Sequence, residues 1–198
     1  QSGGEKRGAV WLYYGSATGT HSAPDWHTVC DQEGAEYGYA VATAGDVNRD
    51  GFSDVIVGSP GCEDYNTGEG RVWGYLGSGN GLRYDLHWHA EANNFAARMG
   101  EALGTAGDVD GDGYSDVIVG APGYGDDGLE AEGKAWVFHG SSEGLEAGSS
   151  WSREGGRNSV HYGSSVGTAG DVNGDGYADV VIGIQLWTGS ASYEGAAS

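Results

Sequence analysis

The chain has 198 residues, with 9 Lys and Arg against 29 Asp and Glu, so its net charge is −20. A field of that sign repels phosphate backbones and anionic headgroups; it argues against nucleic acid and against docking on membranes through basic patches, and it attracts divalent cations. The 40 glycines stand beside 7 Trp and 12 Tyr, a combination that argues for tight turns between short packed strands and against disorder.

In chain order, residues 1–7 read as a tail. A strand over Ala9 to Tyr14 follows, then a polar turn and a second strand around Trp26. Next come a strand of small residues, Tyr39 to Thr43, an acidic loop opening at Asp46, and an apolar strand, Asp54 to Gly58. The same elements then recur. The strand of small residues returns at Glu101 to Thr105 and Ser164 to Thr168, and the apolar strand at Asp116 to Gly120 and Asp179 to Gly183. The strand that follows recurs at Val72 to Leu76 and Ala135 to His139. No segment shows a helical period, and none approaches the roughly 20 apolar residues of a membrane-spanning helix. Gln1 stands where an initiator Met or signal peptide is absent, as in a mature or trimmed chain.

The repeat is regular enough to number. Thr43 to Val47, Thr105 to Val109 and Thr168 to Val172 share one sequence, so Asp46, Asp108 and Asp171 lie 62 and 63 residues apart. Gly8, Gly70 and Gly133 open the segments that contain Trp11, Trp73 and Trp136, and 18 residues after each glycine stands Trp26, Trp88 or Trp151. Repeated Trp at fixed register predicts packing between units. Units of four short strands at a period near 60 predict an all-β fold of β-propeller blades, with repeats over about 8–69, 70–132 and 133–195.

The acidic loops have a donor pattern. Asp46, Asn48, Asp50 and Asp54 place oxygen-bearing side chains at positions one, three, five and nine, with Gly51 at six; Asp108, Asp110, Asp112, Asp116 and Gly113, then Asp171, Asn173, Asp175, Asp179 and Gly176, repeat it. With the backbone carbonyls of Phe52, Tyr114 and Tyr177 at position seven, each loop can wrap one hard cation, and Ca²⁺, which takes 6 to 8 oxygens at flexible angles, fits better than Mg²⁺. An EF-hand is excluded, because its twelfth position falls on Val57, Val119 and Ile182 inside strands. The ten carboxylates of these loops need a counter-charge to ionise together, so three structural Ca²⁺ ions are expected.

The sequence resembles the FG-GAP repeat, as in the propeller of integrin α subunits. Residues 37–41 with Gly58 to Pro60, Met99 and Gly100 with Gly120 to Pro122, and Tyr162 with Gly163 carry the likeness, over essentially residues 8–195; Gly183 to Gln185 departs from it. The resemblance implies calcium bound in the hairpin between a blade's first two strands. It also implies an extracellular, non-catalytic module for adhesion or ligand recognition, through loops on the face away from those hairpins. Those loops, Gly61 to Gly68, Gly123 to Glu132 and Gln185 to Glu194, differ most between units.

Three repeats are too few to close a propeller of 4 to 8 blades. The last unit is expected to stop after its second strand, at Gly195, leaving half-blades at both ends. These half-blades could complete one another in a six-bladed dimer, propagate head to tail as a filament, or meet the remaining blades of a longer propeller. Cys30 and Cys62 lie 16 residues either side of Asp46, which places both at the end opposite the acidic loop and permits a disulfide; two free thiols are the alternative. Enzyme readings are weak. Ser142 sits in a formal GxSxG, Gly140 to Gly144, whose counterparts carry Ala17 and Gly79, and His87 with His89 has no repeated partner. Asp126 and Asp127 read as solvated loop charge. A filament subunit, a lectin or an accessory propeller of a secreted hydrolase are the other function classes.

Overall fold

The computed structural model describes residues 7–64, 66–85, 88–126, 128–187 and the backbone of 196–197. His87, Asp127, Gly195, most of the 1–7 tail and most of the third variable loop lie outside the described residues. The fold is all-β, with no helix among the described residues and every named sheet antiparallel. Two complete sheets occupy the middle of the chain. The first joins β5 (Val41–Gly45), β6 (Asp54–Ser59), β7 (Arg71–Tyr75) and β8 (Trp88–Glu91); the second joins β9 (Ala102–Gly107), β10 (Asp116–Ala121), β11 (Lys134–Phe138) and β12 (Trp151–Glu154). Before them, β1 (Ala9–Leu12) pairs with β4 (Trp26–Val29), and after them β13 (Tyr162–Gly170), β14 (Asp179–Ile184) and β15 (Ala196–Ala197) form a third sheet. A small hairpin of β2 (Gly15–Ser16) and β3 (Gly19–Thr20) sits between β1 and β4.

The differences from the sequence expectation have local causes. The strand expected over Ala9 to Tyr14 ends at Leu12, and the Tyr14 N–H donates to the Asp25 carboxylate at 2.7 Å. The strand expected from Tyr39 begins at Val41, because Glu36 and Gly38 have positive φ and Tyr39 N–H closes a turn onto Glu36 C=O at 3.0 Å. Past the expected end of the last unit at Gly195, a further short strand follows. Ala196 and Ala197 pair with Ile184 and Gly183, where the repeat places the opening of a third strand.

The hydrophobic core lies between sheets, not within one nucleus. Ile56, Val117 and Val119 meet between the two complete sheets, Ile118, Tyr162 and Ile182 between the second and third, and Trp26, Val57 and Tyr75 beneath β1 and β4. Motif glycines let the sheets approach. A Cβ on Gly58 would lie 2.0 Å from Gly100 C=O, and one on Gly120 would lie 2.0 Å from Gly163 C=O. The second Trp of a unit packs on the next unit: Trp26 meets Tyr75 edge-on at 5.1 Å and Trp88 meets Phe138 at 4.9 Å. Trp151 departs from the packing expectation and stays 40 % exposed.

Candidate metal centres

Loop 1 (46–54) joins β5 to β6, loop 2 (108–116) joins β9 to β10, and loop 3 (171–179) joins β13 to β14. Each loop winds around its lead aspartate. Asp46 Oδ1 accepts the Asp50 N–H at 3.0 Å and Oδ2 the Gly51 N–H at 2.9 Å; Asp108 and Asp171 receive the same pair from Asp112 with Gly113 and from Asp175 with Gly176. Position six needs glycine for backbone reasons. Gly51, Gly113 and Gly176 have φ of 89°, 91° and 95°, and Gly51 and Gly176 have open space where a Cβ would stand.

Asn48 and Asn173 fix the middle of their loops. Each accepts the position-five N–H at its Oδ1 and donates Nδ2 to that residue's carboxylate, Asp50 or Asp175. Loop 2 carries Asp110 there, and His139 Nδ1 stands 3.1 Å from Asp110 Oδ2. The N–H groups of Phe52, Tyr114 and Tyr177 donate to position five. In loop 2, carboxylate oxygens of Asp108, Asp110 and Asp116 lie within 4.8 Å of one another, close enough for a single ion to reach all three. A donor set of carboxylate and amide oxygen without thiolate is that of a hard cation such as Ca²⁺ or Mg²⁺, so these residues fit the expected metal.

Position nine has a second task that the sequence pattern did not reveal. Asp54 is buried, and its two oxygens accept Val47 N–H and Gly77 N–H, both at 2.8 Å. Asp116 does the same with Val109 at 2.8 Å and Gly140 at 2.9 Å. These carboxylates therefore staple each loop to the end of its third strand. Burial pushes both carboxyl pKa values up, and the backbone N–H groups pull them partly back. Asp171 shifts the other way: N–H bonds, that of Gly176 foremost, hold its exposed carboxyl below the usual range.

The opposite end holds another repeated carboxylate, overlooked in the sequence. Glu69 and Glu132 are buried one residue before the unit-opening Gly70 and Gly133. Glu69 accepts the Asp64 N–H at 2.7 Å, and Glu132 accepts those of Asp126 and Gly156 at 3.1 and 3.0 Å. They organise the two variable loops, and the recurrence of Glu before that glycine was the available signal. Between the second of these loops and the segment 94–96, Asn94, Phe95, Gly125 and Leu129 border a hollow of about 450 Å³.

Cys30 and Cys62 are free thiols in the structure and border one hollow, beside which Gln32 binds the Glu63 backbone through both amide atoms. Burial pushes the Cys62 thiol up. Ser142 is exposed on a strand-to-strand turn closed by Ser141 Oγ on Gly144 C=O at 2.8 Å, and the turns at Ser16 and Ser78 have the same bond. It is not on a strand-to-helix elbow. His89 lies on the Trp73 ring at 6.1 Å.

The family model described as FG-GAP repeat matches residues 37–75, 99–138 and 162–198, which contain all three Asp loops. The chain belongs to the FG-GAP repeat family. Among its relatives, integrin alpha-4 of Xenopus laevis is 36% identical over 157 residues, covering 77% of this chain and 15% of the relative. Integrin alpha-PS2 of Drosophila melanogaster is 34% identical over 172 residues, 77% of this chain and 12% of the relative. Human integrin alpha-6 is 33% identical over 181 residues, 89% of this chain and 15% of the relative. The FG-GAP chain thus spans about one seventh of the length of these proteins.

Proposed function

We propose that this chain is a calcium-stabilised, non-catalytic propeller segment of an extracellular adhesion or ligand-recognition protein. The observation that carries the reading is the threefold recurrence of one oxygen-lined loop at one place in the sheet, with three aspartates of loop 2 gathered within 4.8 Å. Asp46, Asn48, Asp50 and Asp54, Asp108, Asp110, Asp112 and Asp116, and Asp171, Asn173, Asp175 and Asp179 would hold one ion per loop, with the carbonyls of Phe52, Tyr114 and Tyr177. A bound ion supplies divalent charge that offsets the carboxylates. The protein's own groups do the rest: the lead aspartate gathers the loop amides, and in loops 1 and 2 Asp54 and Asp116 tie the loop to the end of the third strand.

Recognition belongs to the end opposite the loops, where Glu69 and Glu132 fix segments that differ between units and Phe95 stands exposed beside the 450 Å³ hollow. Further strands of the same kind, from a second copy or from other blades of a longer propeller, would complete the open ends. A largely apolar groove of about 530 Å³ between β1 and β5, bordered by Val10, Leu12, Trp26, Val41, Val55 and Leu82, supports that partnership.

Calcium titration by isothermal calorimetry checks the metal reading, with three equivalents bound expected. No binding heat in millimolar calcium overturns it. Glycan and matrix-protein arrays, read with wild type and Phe95→Ala, check the recognition reading.

A further inference from the structure

We infer that loops 1 and 2 are each positioned by the sheet that follows, and that Ser115, on the approach to β10, is a positioning residue for loop 1. The inference rests on the calcium reading above. Ser115 belongs to loop 2, yet its N–H donates to Asp46 C=O at 3.0 Å and its Oγ accepts the Asp46 N–H at 3.2 Å. Both main-chain groups of the lead aspartate are therefore held from across the sheet boundary. Ser141 N–H, from the turn after β11, adds a bond to Val47 C=O at 3.0 Å, and the Arg49 guanidinium lies against Gly113.

The next junction repeats the arrangement with one atom missing. Ala178 N–H donates to Asp108 C=O at 2.8 Å, but alanine has no hydroxyl to receive the Asp108 N–H. The backbones approach alike at the two junctions: a Cβ on Gly45 would lie 2.5 Å from Ser115 Cβ, and one on Gly107 would lie 2.6 Å from Ala178 Cβ. Among the described residues no residue of another sheet bonds the main chain of Asp171. The three lead aspartates thus receive two, one and no such bonds.

Bonds that reach neither the ion nor its ligand oxygens act by fixing where the ligand stands, and they reduce the ordering that wrapping an ion requires. Loop 1 is accordingly completed by the second sheet, and calcium affinity passes along the row of loops in one direction.

The amides of Gly51, Gly113 and Gly176 donate to the three lead carboxylates, so a calcium titration of the ¹⁵N-labelled chain followed by NMR reads each loop separately. Ser115→Ala is expected to weaken loop 1 about fivefold, the factor of one hydrogen bond, and to leave loop 3 within about twofold. Ala178→Ser, which restores the missing hydroxyl, is expected to tighten loop 2 by a similar factor without moving loop 1. An unchanged Gly51 curve in Ser115→Ala, or an equal weakening of all three loops, overturns the positioning role. Wild-type amides that ignore millimolar calcium overturn the calcium reading and this inference together, whereas calcium binding that is identical in wild type and both variants overturns this inference alone.

Discussion

Strands β10 and β14 are near copies, Asp-Val-Ile-Val-Gly-Ala against Asp-Val-Val-Ile-Gly-Ile, yet they meet different surroundings. Along both, the side chains that face the preceding sheet are covered: Val119 is 0 % exposed and its counterpart Ile182 2 %. The side chains that face the following sheet part company, with Ile118 at 0 % and Val181 at 42 %. Trp88 and Trp151 tell the same story at the outer strand. A repeat supplies half of each core and its successor supplies the other half, so identical residues differ in worth according to the neighbour they receive.

Calcium removal probes this contrast most strongly. On the calcium reading proposed above, each site would contribute about 2.7 kcal/mol at a hundredfold excess of ion over Kd and three sites about 8 kcal/mol, so excess EGTA should lower Tm by on the order of 15 °C or more. Calorimetry reads the loss, and hydrogen exchange should show β14 opening before β10. An unchanged melting curve would falsify the structural role of the ions.

Truncating the paired tryptophans comes next. Trp88→Ala should cost about 3–5 kcal/mol, because it empties the site against Phe138 and removes the Nε1–H bond to Glu146 C=O at 2.8 Å, whereas Trp151→Ala should cost under about 1 kcal/mol. Equal losses in urea unfolding would mean that Trp151 is covered in solution. A crosslink can stand in for a missing neighbour: joining Cys30, just after β4, to Cys62, just after β6, would brace the two-stranded N-terminal sheet and add about 3 kcal/mol. Intact mass under oxidising conditions should fall by the two thiol hydrogens. With the thiols reduced, half-buried Cys30 should alkylate faster than buried Cys62, whose proton burial retains.

The finest test is Ile118→Ala against Val181→Ala. The first should lose about 2–4 kcal/mol and the second under about 1 kcal/mol. Repeating the pair of urea unfolding curves with added calcium should leave the gap in place, because it comes from packing.

Much of this was legible in the chain. The fixed spacing of Asp46, Asp108 and Asp171 located the loops, because a turn that presents oxygens at alternate positions tolerates few other residues. The apolar runs from Asp54 and Asp116 located strands covered on both faces, which cannot alternate, and the run from Asp179 located its counterpart although one of its faces is open. Illegible were the structural tasks of Asp54 and Asp116, since their partners Gly77 and Gly140 lie 23 and 24 residues away and offer only backbone. Glu69 and Glu132 were hidden for a like reason: a carboxylate that caps loop amides looks, in sequence, like any surface charge.

The repeat, the strand order and the place of each acidic loop could be read from the chain alone, because they depend on local spacing and turn chemistry. Which copies are buried, which carboxylates serve as staples, and that Asp46 is held by Ser115 of the next unit emerged only from the folded arrangement of the sheets. Those outcomes depend on what one sheet meets across a boundary, and a contact between residues 69 apart leaves no local signature in the chain.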